Sequence, residues 1–347
     1  MVQGDVEDLE VKTQFFAIGL LLAASLPLQC QNLTPSREYR AQWRCMGHVW
    51  IFNSDLYCLD ANSRQISKTT ASGRLVFSSL PSPSGIALTS PYGRSPNTVG
   101  LSVDPDGQIY AVDGLQVHVY SADGKFVRSM KPGINLGQGV AALDSEHVYV
   151  AGRAAHNSSL PANATVFEIG SRGVERSFSD IFFADRSRSD DMVLNKESHL
   201  ALDRQRGLLY QLPQARYEIR VFTLDGEFVR AILPPPQFAI KTPEVSHPMG
   251  PKSAALEPSD MLFNIVVTGD GGLAVQGDLL RSAKRNGNNL ITQYDRFVDL
   301  YDPSGNFKRR LTGNDLTSGG AWLIGLDRIT GSAFLTSNNT VIESALQ

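Results

Sequence analysis

Three features of the sequence predict an all-β fold, a six-bladed β-propeller of four-stranded blades whose last blade is closed by an N-terminal strand. A hairpin phrase recurs along the chain, an apolar strand ending in Asp recurs ahead of it, and no segment sustains a helical period with capping residues. The clearest hairpin is Val117–Arg128, V-H-V-Y-S-A-D-G-K-F-V-R. Val117 and Val119 face one way and His118 and Tyr120 the other, and Gly124 supplies the positive φ of a short loop. Copies run Ile219–Arg230, Phe297–Arg309 and Ile66–Val76. A lone hairpin cannot bury its apolar face, so a recurring one implies stacked units around a shared core.

In chain order, the first thirty residues differ from the rest. Phe15–Leu28 is an uncharged apolar run, too short to span a bilayer comfortably and matched to a signal-peptide core, so residues 1–30 are expected to be a leader. Asp5, Glu7, Asp8 and Glu10 precede it where basic residues belong. A true start at Val11 would let the leader open on Lys12. Cleavage is expected near Ser25 or after Cys30, and a lipid anchor on Cys30 is the alternative, though Pro27-Leu28-Gln29 is a poor approach to an acylated cysteine. Residues 31–347 then form a single domain in the periplasm or outside the cell, with no membrane span and as a monomer. Cys45 and Cys58 remain, and their spacing leaves open whether they pair.

The repeating unit begins with the Asp-ended strand, turns, and continues into a second strand before the hairpin. Leu101–Asp104 precedes Ile109–Val112, Ala141–Asp144 precedes Val148–Val150, and Leu200–Asp203 precedes Leu208–Tyr210. Ile265–Thr268 precedes Leu273–Val275, Ile324–Asp327 precedes Ala333–Leu335, and an early copy joins Val49–Phe52 to Leu56–Leu59. The last unit stops before a fourth strand, and Glu38–Gln42 is the segment expected to fill it and cover two sheet edges.

These motifs, strongest over Thr98–Met130 and Leu200–Ala231, resemble the NHL-repeat family of six-bladed propellers. The resemblance implies a fold and binding on one face, and no particular reaction.

The connections sort by length. Those between first and second strands, and between third and fourth, are short, as at Pro105-Asp106-Gly107 and Leu224-Asp225-Gly226. The others hold the insertions, at Pro81–Asn97, Arg153–Ala164, Ser177–Lys196, Pro234–Ser259 and Gln276–Arg296. Antiparallel alternation places all the long ones on one face, which is therefore the expected binding face.

Catalytic motifs are missing. There is no G-x-S-x-G, H-E-x-x-H or C-x-x-C, and His118 and His147 sit in or beside strands, where a structural role is expected. Asp104-Pro105-Asp106-Gly107 and Gly269-Asp270-Gly271-Gly272 lack the further oxygen ligands of a calcium loop and are expected to be turns. A net charge of -3 gives no pull toward nucleic acid, and basic Arg281, Lys284, Arg285 and Arg296 are offset by Asp185, Asp190 and Asp191. Sequons at Asn32, Asn157, Asn163 and Asn338 matter only in a eukaryotic secretory route.

The expected function is a non-catalytic binding or scaffold module for a protein, peptide or glycan, with no cofactor. The alternative is a hydrolase resembling the gluconolactonase-type propellers, which would hold one calcium or zinc ion at the channel mouth. For either function the candidate residues at the channel mouth are Asn97, His156, Glu197, His199, Asp260 and Asn264.

Overall fold

The computed structural model describes residues 33–40, 48–59, 66–70, 72–78, 80, 100–155, 158–184, 187–248, 250, 254–286, 289–318, 321–337 and 340–346. Within them five four-stranded antiparallel sheets follow one another, over 48–77, 100–130, 134–180, 198–232 and 261–312. A sixth sheet has five strands, Thr317–Ser318, Ala321–Leu326, Ala333–Ser337 and Thr340–Leu346, with Leu33–Arg40 on its far edge. In the five four-stranded sheets the spatial order of the strands is their order along the chain. The architecture is that of a β-propeller.

In four of the six sheets the inner strand ends at an Asp that shapes the turn after it. Asp104 accepts the N–H of Gln108 at 2.9 Å, and Asp144 those of Glu146 and His147 at 2.8 and 2.9 Å. Asp203 accepts from Arg206 at 2.9 Å, and Asp327 from Ile329 and Thr330 at 2.8 and 3.1 Å. In the fifth sheet Asp270 does the same, accepting from the Thr268 hydroxyl at 2.6 Å and the Gly272 N–H at 3.2 Å. These carboxylates are occupied by their own turns, which is why Asp and Gly recur there.

Each second strand brings an apolar or aromatic side chain into the spaces between sheets. Tyr57, Tyr110, Tyr149, Tyr210 and Phe334 are fully buried. Burying such a side chain contributes on the order of 2 kcal/mol. The cores join neighbours in sequence. Trp50 and Phe52 pack with Leu101 and Ile109, Val117 and Val119 with Val140 and Phe167, and Ala141 and Tyr149 with Leu200 and Leu209. Tyr210 and Val221 pack with Ile265 and Phe297, Val266 and Leu311 with Leu323 and Leu335, and Phe334 and Val341 with Ile51 and Leu56.

Three expectations are corrected. The insertion at 276–296 is no loop: Leu273–Asn286 and Asn289–Tyr301 pair continuously to Asn286 opposite Asn289, forming a projecting two-stranded ribbon. The strand completing the sixth sheet is Leu33–Arg40, where Glu38–Gln42 was expected, and it pairs along Thr340–Leu346. A short helix exists, α1 at Arg188–Asn195, where no helical segment was expected. Its N-terminus is held by the Ser187 side chain, which accepts the Asp190 N–H at 3.3 Å, and by Asp190 and Asp191 in the first turn.

Cys58 is disulfide-bonded, and its partner lies outside the described residues. The expected leader, Val11, Cys30 and Cys45 also lie outside them. No helix among the described residues is long and apolar enough to cross a membrane.

Candidate functional site

Among the described residues, three pieces of the face carrying the long connections stand out. The first is α1 and the segment before it. Asn195 fixes that segment, its side-chain oxygen accepting the N–H groups of Phe182 and Phe183 at 2.8 and 3.0 Å. Asp191 ties the helix to the third sheet through Arg153, whose Nη2 donates to it at 2.8 Å while Nη1 donates to the Ala164 carbonyl at 2.9 Å.

The second piece is the connection 233–260. Pro236–Phe238 makes one 3-10 turn, and Phe238 stacks on Phe307 with ring centres 5.0 Å apart. Val245–Ser246 then pairs with Ala255–Leu256 as a minimal hairpin. His247 at its tip approaches Asp190 of α1 to 3.4 Å, joining the two pieces.

The third is the ribbon. The first strand of the fifth sheet pairs with it only as far as Asp278, and the fourth strand only as far as Phe297. Beyond those points both of its edges are unpaired by these strands. Arg281 pairs with Asp295, Arg296 with Asp278 at 3.2 Å, and Ser282 with Gln293 at 3.1 Å across the ribbon. Leu290 and Ile291 near the tip are 48% and 53% exposed. At the ribbon's base a cleft of about 590 Å³ opens, bounded by Arg281, Tyr294 and Asp295 on one side and by Gly313, Leu316 and Leu323 on the other. Arg296 crosses its floor, donating to the Leu323 carbonyl at 3.4 Å.

Asn97 and His156 lie outside the described residues. Of the other four candidates, Glu197, His199 and Asp260 are engaged by the framework. Glu197 accepts the Gln138 N–H at 2.9 Å, linking the third and fourth sheets, and pairs with Lys196 at 2.9 Å. Buried His199 lies with Nε2 3.0 Å from the Leu262 carbonyl, linking the fourth sheet to the fifth. Asp260 accepts the Leu280 N–H at 2.8 Å and so pins the root of the ribbon. Asn264 is buried, with its side-chain oxygen unbonded.

Among the described residues no group of three or more His, Cys, Asp and Glu stands where it could hold a metal. Glu197 and Asp260 already accept main-chain N–H groups, and Asn264 offers one neutral oxygen. His118, bonded to Ser129 and Asp113 at 2.8 and 2.9 Å, and His147, bonded to Asp144, stand within the framework of the second and third sheets.

The ribbon, like helix α1, is an element that the sequence reading missed. Its signal in the sequence is the Asn- and Gly-rich stretch Asn286-Gly287-Asn288-Asn289, a composition suited to a hairpin turn.

No protein-family model matches the chain, the NHL repeat included, and no curated protein sequence matches it. Solved structures do. A member of the DUF4221 family from Bacteroides vulgatus is 9% identical, covers 91% of this chain and 99% of its own, and superposes with a TM-score of 0.53. A Bacteroides fragilis protein named for its expected export is 11% identical over 92% of this chain and 96% of its own, with a TM-score of 0.52. A gluconolactonase from Xanthomonas campestris is 12% identical over 90% and 99%, with a TM-score of 0.45. At these identities the likeness speaks to the fold and not to a reaction, so what the chain shares with its structural neighbours is the β-propeller itself.

Proposed function

We propose that the chain is an exported β-propeller of six blades closed into a ring, and that it binds a protein partner through the face carrying its long connections, without catalysing a reaction. Support for the closed ring comes from cores that link each sheet to the next and the sixth back to the first. Support for export comes from the leader-like N-terminus and from oxidised Cys58, since disulfides persist in oxidising compartments.

The observation that carries the binding assignment is the ribbon. It projects two open strand edges, a charged flank and exposed Leu290 and Ile291, above a cleft of about 590 Å³. An open edge offers main-chain N–H and C=O groups to an extended segment of a partner, and apolar side chains beside it supply burial. A glycan ligand would call instead for exposed aromatic platforms.

The test compares the full chain with a variant whose residues 281–294 are replaced by Asn-Gly. Both are crosslinked in envelope extract, the captured protein is identified, and its affinity for each form is then measured with purified components. A partner bound at least tenfold more weakly by the shortened form supports the assignment. Equal affinity for both forms, or binding only to arrayed glycans, overturns it.

A further inference from the structure

At the end opposite the long connections, the inner strands converge on a cavity of about 20 Å³. Phe52, Ser102, Ala142 and Ile265 line it from the first, second, third and fifth sheets, and Arg204 and Arg328 from the turns of the fourth and sixth. We infer that this chamber is a binding site for a single monatomic anion, chloride under ordinary conditions, held between Arg204 and Arg328.

The two guanidinium groups bond neutral main-chain oxygens. Arg204 Nη2 donates to the Ala142 carbonyl at 2.8 Å, and Arg328 Nη1 to the Leu101 carbonyl at 3.3 Å. Arg204 Nε is buried with no hydrogen-bond partner. Asp104, the acid whose field reaches Arg204, has one oxygen on the Gln108 N–H and the other on the Tyr110 hydroxyl. Burial outweighs that field and lowers the Arg204 pKa, and burial takes Arg328 down to about 10. Both remain cationic at neutral pH, so two like charges border one part-buried space. A charge in such a place is costly unless paired. Water would satisfy the free N–H and leave the charge uncompensated, whereas an anion answers both. The small volume, about 20 Å³, suits a monatomic ion better than phosphate or sulfate. The site lies apart from the long-connection face and stands whether or not that face binds a protein.

The test is a bromide soak of crystals of the full chain, with anomalous diffraction, alongside thermal melts in chloride and in gluconate at equal ionic strength. A bromide peak between Arg204 and Arg328, with a Tm about 2–4 °C higher in chloride and no such difference in Arg328→Met, is the expected result. Should Arg328→Met fail to fold, the map from the unaltered chain decides. A chamber holding water in the bromide map, or equal Tm in the two salts, overturns the site.

Discussion

Asp299 and Arg310 form a two-armed ion pair inside the fifth sheet, Nε to Oδ1 at 2.6 Å and Nη2 to Oδ2 at 2.7 Å, with their side chains 0% and 8% exposed. The pair anchors a chain of hydroxyls from two sheets: Tyr217 donates to Asp299 at 2.6 Å, and Tyr301 donates to Tyr217 at 3.0 Å. The guanidinium also lies over the Phe297 ring, 4.0 Å from its centre. Removing one partner strands a buried charge, so Asp299→Ala should cost about 3–5 kcal/mol. Replacing both, as Asp299→Leu with Arg310→Met, should recover most of that loss. Urea unfolding of the three proteins measures both. A double variant no better than the single would mean that shape, and not charge, sets the cost.

The inner strands touch main chain to main chain. A Cβ on Gly100 would lie 1.9 Å from the Gln138 carbonyl oxygen, and one on Gly139 2.2 Å from that of Ser198. Neither contact can yield without separating two sheets. Gly100→Ala should therefore destabilise by about 1–3 kcal/mol through overpacking. Gly269 is the control, because a Cβ there would meet nothing closer than 3.6 Å. Its alanine variant should stay within about 0.5 kcal/mol of the parent. Equal melting of the two variants would show that the sheets are free to part.

The hairpins were legible in the sequence because a short turn admits few residues, and Gly124, Gly226 and Gly305 do adopt positive φ. The Asp-ended strands were legible for a related reason, since a turn whose N–H groups need a carboxylate leaves a recurring Asp. The ribbon was hidden because both of its faces meet solvent, so Arg281, Lys284, Gln293 and Asp295 erase the apolar alternation by which a strand is recognised. Helix α1, at eight residues, is shorter than the window in which a helical period can be read. The candidate site was chosen from chemistry alone. Glu197 and Asp260 are suitable ligands in isolation, and sequence does not disclose that they also accept the main-chain N–H groups of Gln138 and Leu280. Arg204 and Arg328 stand in no motif and line one cavity only through the convergence of the inner strands.

His147 and Asp144 give the fold a weak pH dependence. The hydrogen bond that the His147 Nδ1–H donates to Asp144, 2.8 Å long, favours the protonated ring and raises the His147 pKa above its ordinary 6.5. A pKa higher in the folded chain than in the unfolded one adds stability that is complete below about 6.5 and is lost as pH rises through the folded value. The His147 side chain is 43% exposed, so screening holds the contribution to at most about 1 kcal/mol. His147→Gln should thus be less stable than the parent at mildly acid pH and indistinguishable from it at alkaline pH. Urea midpoints at the two pH values measure this, and a deficit that grows on the alkaline side would reverse the sign of the argument.

The sixth sheet is assembled from both ends of the described chain, with Leu33 opposite Leu346 and Arg40 opposite Thr340. Without Leu33–Arg40 the strand Thr340–Leu346 becomes an open edge, which invites pairing between molecules. Deleting 33–40 removes a full ladder, at about 1 kcal/mol net for each hydrogen bond, and should lower Tm sharply and promote aggregation. The register supplies a stringent rescue. Because Leu33 faces Leu346 in an antiparallel pair, the same eight residues attached after the C-terminus through a tight turn would fold back into the same ladder. The transplanted chain should regain most of the lost Tm. If it does not, while the deletion is still harmful, the segment stabilises the fold by contacts other than the strand pairing.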